Sequence, residues 1–408
     1  MAADLIHSQP PRQDATARLL LLLSKCRLDP EAAQLVRQLA PAVLDWQEFA
    51  DIACRKFVAP YAYEHLSTHA GDIVPQLVIE KLGQLARLST MSVLRLQASQ
   101  ARFHADCIVP TRARYAYIKG LALPVQFNEQ IGPRFCRDID ILVSEGDFEP
   151  VIRKAMAAGY RVVLGFGPLE YAETKKDLDF VLRCIEVVTL FGDDGIPIEV
   201  HRRLDKTGLD FEINRAIDQS ETILIGDIPV QTLPADLHFV YVCYHHSRHL
   251  WSRLHWLADI DMMITSEKFD TRAALTLAEK IGIRPTIEAA LEFHTLSSKA
   301  FPDLTAPNPS GGAQFLKACL LNLDGDLELE YELRRGRTLP DFMSAWQVSA
   351  RRFRSIYLRS LLMRFRPTVT QYRRSRYPKQ LFWVYSLQRA FSHLLKRRQG
   401  SDLSADHH

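Results

Sequence analysis

The sequence predicts an α+β fold, a small mixed sheet flanked by N-terminal and C-terminal helical regions, and three observations carry that prediction. In residues 14–108, and again from Pro234 onward, apolar side chains recur every three or four positions, the period of a helix with one buried face. Between them, in residues 110–232, short runs rich in branched and aromatic residues alternate with helical stretches. A Gly192-Asp193-Asp194-Gly195 turn joins two of those runs, so part of the sheet is antiparallel.

At 408 residues the chain exceeds one ordinary core. Four regions are expected: 1–109 helical, 110–232 the α/β core, 233–305 helical and packed on the core, and 306–408 basic and helical. In the first, Leu35, Leu39 and Val43 and then Trp46, Phe49, Ile52 and Ala53 keep helical spacing, punctuated by Pro30, Pro41, Pro60 and Pro75. Residues 78–108 hold Leu82, Leu85, Leu88, Val93, Leu96 and Phe103 without a proline, and read as one long helix ended by Pro110. Tyr115-Ala116-Tyr117-Ile118 is a strand stopping at Lys119-Gly120, residues 121–128 start a helix, and a turn at Gly132-Pro133 leads to the next strand. A helix over 147–158 ends at Gly159, and 160–164 is a candidate strand. The apolar run 180–188 and the run 196–201 make a hairpin around the glycine-rich turn, in which Asp193 and Asp194 are turn residues. Residues 302–312, rich in Pro, Ser and Gly, form a boundary loop.

Composition narrows the class. Hydrophobic content of 47% and charged content of 24% are those of a globular protein. The seven cysteines are scattered without a CxxC pair, which argues against a disulfide framework or zinc knuckle. No apolar stretch approaches the roughly 20 residues that span a bilayer, and the leucine run at 19–23 is short and followed by Lys25 and Arg27. A cytoplasmic protein is expected, with any membrane contact peripheral.

The chemistry centres on Arg137-Asp138-Ile139-Asp140-Ile141-Leu142-Val143. Successive strand residues face opposite ways, so Asp138, Asp140 and Leu142 share one face and Ile139, Ile141 and Val143 the other, which is built for burial. Carboxylates two apart on a strand sit about 6.5 Å from each other and repel unless a cation lies between them. Glu199, between Ile198 and Val200, repeats the pattern on a second strand. Three carboxylates on one face can hold two Mg²⁺ ions about 4 Å apart, and Mn²⁺ would serve as well. Glu186, also flanked by apolar residues, competes with Glu199. Lys119-Gly120 adds a glycine that lets a phosphate approach the backbone and a neighbouring positive charge.

Tyr117-Ile118-Lys119-Gly120, then the Asp138 strand, then Gly159-Tyr160, then Ile198-Glu199-Val200-His201 resemble the uncharacterised nucleotidyltransferase family of the DNA polymerase β-type superfamily. The segment from Leu237 to Ile264, with His245, His249, Trp251, Arg253, Leu254 and Asp259, resembles that family's helical part; the likeness spans about residues 75–265. The resemblance implies a nucleotidyltransferase-type sheet in which Asp138 and Asp140 bind both metals and Glu199 completes the site around an attacking hydroxyl. It further implies that Lys119, Gly120, Arg137 and His201 serve a nucleoside triphosphate, the substrate. One position departs from the pattern: Leu121 stands where most of the superfamily has a serine or second glycine.

Other readings stay open. An Asp-x-Asp also serves metal-dependent glycosyltransferases that use nucleotide sugars, and Leu121 suits a catalytically silent nucleotide-binding module. Arg137 is either a surface partner of its neighbouring aspartate or a triphosphate ligand. His245 and His249, four apart on a helix, have metal-binding spacing but also suit a core contact or a place facing the nucleotide or acceptor. Residues 342–401 contain fourteen Lys or Arg and no Asp or Glu, interleaved with Phe353, Tyr357, Phe365, Tyr372 and Tyr377. That mixture suits RNA or an anionic membrane surface, or a solvated basic face. The acceptor itself is unknown from sequence.

Overall fold

The computed structural model describes residues 11–128, 134–164, 170–205, 208–306, 309–325 and 368–374, with 328–329, 358 and 384. The first helices, α1 (Ala15–Leu23), α2 (Pro30–Leu39) and α3 (Trp46–Arg55), each begin at an aspartate, Asp14, Asp29 and Asp45, whose carboxylate accepts from backbone N–H groups of the first turn. The leucine run of α1 is entirely buried. α4 (Ala59–His69) follows, then α5 (Gln76–Phe103), the long helix expected. It continues through a π turn at His104–Ile108 into a last turn, Val109–Thr111. Pro110 therefore does not end the helical path. The π turn restarts the hydrogen-bond ladder, and the proline falls where its missing N–H is not needed.

The sheet elements alternate with helices as β1 (Tyr115–Ile118), α6 (Ala122–Asn128), β2 (Ile139–Val143), α7 (Glu145–Ala157), β3 (Arg161–Val162), α8 (Lys175–Cys184), β4 (Val187–Phe191) and β5 (Pro197–His201). One expectation is corrected here. Residues 180–184 are helix, not strand, because Thr174 and Asp177 form a reciprocal capping box that starts α8. The hairpin exists, but its first strand is β4, antiparallel to β5. The turn expected at Gly132-Pro133 lies outside the described residues.

After α9 (Ile213–Asp218) comes a hairpin that the sequence reading missed, β6 (Glu221–Ile225) and β7 (Ile228–Thr232), turning at Gly226 with φ +61°. Helices α10 (Ala235–Arg248), α11 (His255–Ile264), α12 (Thr271–Ile281), α13 (Arg284–Leu296) and α14 (Gly311–Leu321) complete the helical region, and α15 (Val369–Arg374) lies in the basic tail. The seven strands hydrogen-bond in the order β3-β4-β5-β2-β1-β7-β6. The fold is α+β with a mixed sheet. No described helix is long and apolar enough to cross a membrane.

The chain forms two compact units: residues 1–98, 118–137 and 219–353, and residues 99–117, 138–218 and 354–408. In the second, Ile139, Ile141, Val188, Leu190, Ile198 and Val200 form one buried apolar face of the sheet. Leu142 is buried as well, so β2 is covered on both faces rather than on one. Most of the basic tail lies outside the described residues. Within the second unit, Tyr372 is bonded to Asp179, and Arg373 Nε donates to Asp177 Oδ1 at 2.6 Å, so both side chains engage α8. In the first unit, α14 packs along α13, and its start at Gly311 falls inside the stretch expected to be a boundary loop.

Candidate metal centre and the Lys119-Gly120 turn

β2 and β5 are parallel neighbours whose register sets Asp140 beside Glu199 and Leu142 beside His201. Glu199 and His201 are two apart on β5 and share the face that Asp140 occupies. The His201 ring nitrogen Nε2 lies 2.9 Å from Asp140 Oδ1 and 3.6 Å from Glu199 Oε2. One ligating atom from each residue lies within 4.8 Å of the other two, the one such group among the described residues. Asp140 and His201 are buried, whereas the Glu199 side chain is 32% exposed, which marks the open side of the cluster.

Two carboxylates at that spacing repel by about 3 kcal/mol at an effective dielectric of about 20. His201 relieves part of this, and a divalent cation would relieve more. The donor set fits one. An ion with ligands at about 2.1 Å separates neighbouring donors by about 3 Å and opposite donors by about 4.2 Å, close to the spacings seen. Carboxylate oxygens suit hard divalent cations and an imidazole nitrogen suits a transition metal, so the set can hold a divalent cation.

The other expected residues fall as follows. Asp138 lies one position before β2, half-buried, and is not a member of the three-residue group. Glu186 precedes β4 and sits 3.6 Å from Arg203; Glu199 is the acid that meets Asp140. Asp194 accepts from the N–H of Ile196, a turn role as expected. Arg137 is exposed, with its guanidinium 5.1 Å from the centre of the Phe57 ring, a contact neither reading of it had anticipated. The His245 and His249 rings lie tilted to each other with centres 4.7 Å apart, and both edge onto Trp256. Burial, reinforced by nearby Lys119, holds His245 well below the usual histidine range.

Lys119 and Gly120 belong to the first unit, as does Arg137, while the acid cluster belongs to the second. Both turn residues adopt left-handed backbone, φ +51° and +38°, which costs a lysine about 1–2 kcal/mol. Buried partners hold them there. The Lys119 N–H donates to His238 Nε2 at 2.9 Å, and Arg134 Nη1 donates to the Gly120 carbonyl at 3.1 Å.

Arg134 is itself fixed by a fork to Asp259, Nε to Oδ1 at 2.5 Å and Nη2 to Oδ2 at 2.9 Å, with both side chains buried. Burial would raise the Asp259 carboxyl, but Arg134 and His246 outweigh it and hold the group well below the carboxylate range. Burial also depresses His246, to about 4, against the opposing pull of Asp259. Sequence reasoning quoted Asp259 but missed Arg134 and His238, because partners more than a hundred residues apart leave no local spacing to read.

Fold and cluster together define an α+β protein whose sheet carries an acid-and-histidine group able to hold a metal. The model of the uncharacterised nucleotidyltransferase family matches residues 42–296, more than half of the chain, and the protein belongs to that family. The match reaches past the segment suggested by the motifs at both ends, into α3 and through α13. No curated protein matches the chain.

Proposed function

We propose that this protein transfers a nucleoside monophosphate from a nucleoside triphosphate to an acceptor hydroxyl, in a reaction dependent on Mg²⁺ or Mn²⁺. The convergence of Asp140, Glu199 and His201 in a member of the nucleotidyltransferase family carries the reading. In the reaction the acceptor oxygen bonds to the α-phosphorus, the bond from that phosphorus to the bridging oxygen breaks, and pyrophosphate leaves. When bound, the cation neutralises phosphate charge and acidifies the attacking hydroxyl.

The chain's own residues do the rest. Asp140 and Glu199 would hold the cation, and His201, whose Nε2 lies 2.9 Å from Asp140 Oδ1, orients that carboxylate. Glu199, the most exposed of the three, faces the acceptor and takes the hydroxyl proton. Asp138 is assigned to a second ion, and Lys119, Gly120 and Arg137 to the triphosphate, on the family resemblance. The basic tail is assigned to a polyanion, RNA or an anionic membrane surface, on its composition. A nucleotide-sugar transferase would place a parallel nucleotide-binding sheet ahead of the Asp-x-Asp, where α1–α5 and the single strand β1 stand.

The test is incubation of the purified protein with labelled nucleoside triphosphates, Mn²⁺ and a cell extract, followed by identification of the labelled product. Asp140→Asn is expected to abolish labelling with an unchanged circular dichroism spectrum. Full labelling by that variant refutes the assignment. Metal-dependent nucleotide affinity without any labelled product points instead to the silent binding module.

A further inference from the structure

The proposal starts from the atoms around Lys119. His238 is fully buried and bonds at both ring nitrogens, to the Lys119 N–H through Nε2 and to Gln126 Oε1 through Nδ1 at 2.7 Å. Gln126, equally buried, sends its amide nitrogen to the Leu233 carbonyl at 2.7 Å and to Glu221 Oε2 at 3.0 Å. A carbonyl only accepts, so the atom facing Leu233 is the amide nitrogen and the atom facing His238 is the oxygen. That oxygen only accepts as well, so His238 Nδ1 carries a proton. The Lys119 N–H only donates, so His238 Nε2 carries a lone pair. Each bond requires the same neutral tautomer, and the chain of requirements ends at Glu221, whose other oxygen accepts from Ala235 N at the start of α10.

We infer that His238 is a positioning residue for nucleotide binding: it commits the Lys119 amide and, with Arg134 on the Gly120 carbonyl, locks the turn in its left-handed shape so that the Lys119 ammonium meets the phosphates preformed. The inference rests on the proposed reading, in which this turn serves the triphosphate. It also assigns the Lys119 backbone amide to the protein rather than to the ligand. With Leu121 at the next position, recognition of the phosphate leans on the Lys119 side chain, which makes the shape of the turn decisive for affinity.

The experiment compares the full-length wild type with His238→Leu, His238→Gln and Gln126→Met. His238→Leu removes the acceptor, His238→Gln restores one, and Gln126→Met leaves the ring but removes what fixes its tautomer. Three quantities are measured: Mn²⁺ affinity by electron paramagnetic resonance, affinity for labelled ATP, GTP, CTP and UTP with Mn²⁺ by equilibrium dialysis, and hydrogen exchange of a peptide spanning residues 115–123. In His238→Leu the nucleotide affinity is expected to fall about tenfold while Mn²⁺ affinity stays put and Lys119 exchange accelerates. His238→Gln recovers most of the loss, and Gln126→Met shows a smaller loss in the same direction.

Unchanged nucleotide affinity in His238→Leu overturns the inference and leaves the proposed function standing. Equal loss of Mn²⁺ and nucleotide affinity also overturns it, since that reports general damage. A wild type that binds Mn²⁺ and none of the four nucleotides refutes the functional reading, and the inference with it.

Discussion

Replacing Arg134 by methionine tests whether the buried ion pair is held by mutual need. The change keeps an unbranched apolar chain but deletes both bonds to Asp259 and the bond to the Gly120 carbonyl. It leaves a carboxylate with a fully buried side chain beside the weaker partner His246, at 3.4 Å, and the more distant His255. Stranding one member of a buried pair costs about 3–5 kcal/mol, a large fraction of the roughly 5–15 kcal/mol that stabilises a typical protein. The double variant Arg134→Met/Asp259→Leu removes the stranded charge too and is expected within about 1 kcal/mol of wild type. Guanidinium unfolding followed by the fluorescence of Trp251 and Trp256, both buried in the same unit, gives the comparison.

Acidity adds a second signature. In the wild type the Asp259 carboxyl is depressed, so its contribution is present above the unfolded value of about 3.9 and is lost only as pH falls below it. Without Arg134, burial raises that carboxyl, and protonation on mild acidification relieves the stranded charge. The gap between wild type and Arg134→Met should therefore narrow between about pH 7.5 and about pH 5. A double variant no more stable than the single one, with a gap that ignores pH, would refute the reasoning.

Three further outcomes follow from the same geometry. Glu199→Gln should weaken Mn²⁺ binding by about tenfold or more without lowering the stability of the metal-free protein, because it removes a carboxylate from a repulsive pair; a paramagnetic resonance titration reads the affinity and thermal unfolding without metal reads the stability. His246 is held neutral by burial down to about pH 4 while its unfolded counterpart protonates near 6.5, so acidification through that window costs about 3 kcal/mol, measurable as a fall in the unfolding midpoint. Gly159→Ala meets no atom within 4 Å but must adopt φ +94°, so thermal unfolding should report a loss of about 1 kcal/mol from backbone strain alone.

Where chemistry and local pattern coincide, the sequence was readable. β2 and β5 announce themselves because carboxylates alternate with branched apolar residues, and the pairing of Asp140 with Glu199 is the consequence. The start of β4 was placed too early because Phe180, Val181 and Leu182 resemble a strand when Thr174 and Asp177 are ignored; the capping box was there to be used. The β6–β7 hairpin was equally available, in alternating Ile223, Ile225, Ile228 and Val230 around Gly226-Asp227. Arg134 and His238 were out of reach. Their roles depend on partners brought in by the tertiary fold, and an arginine or histidine in a helical or irregular stretch looks the same whether buried or solvated.

If the group holds a cation as proposed, the parallel pairing of β2 with β5 would make cation affinity an assembly gauge. Asp140 and His201 are 61 positions apart, and β5 also carries β4 on its other edge, so the three ligands come together only once that hairpin has docked along β2. Manganese uptake followed during refolding would thus time one long-range event in a chain of many, and a fragment ending before Pro197 would keep Asp140 alone of the three.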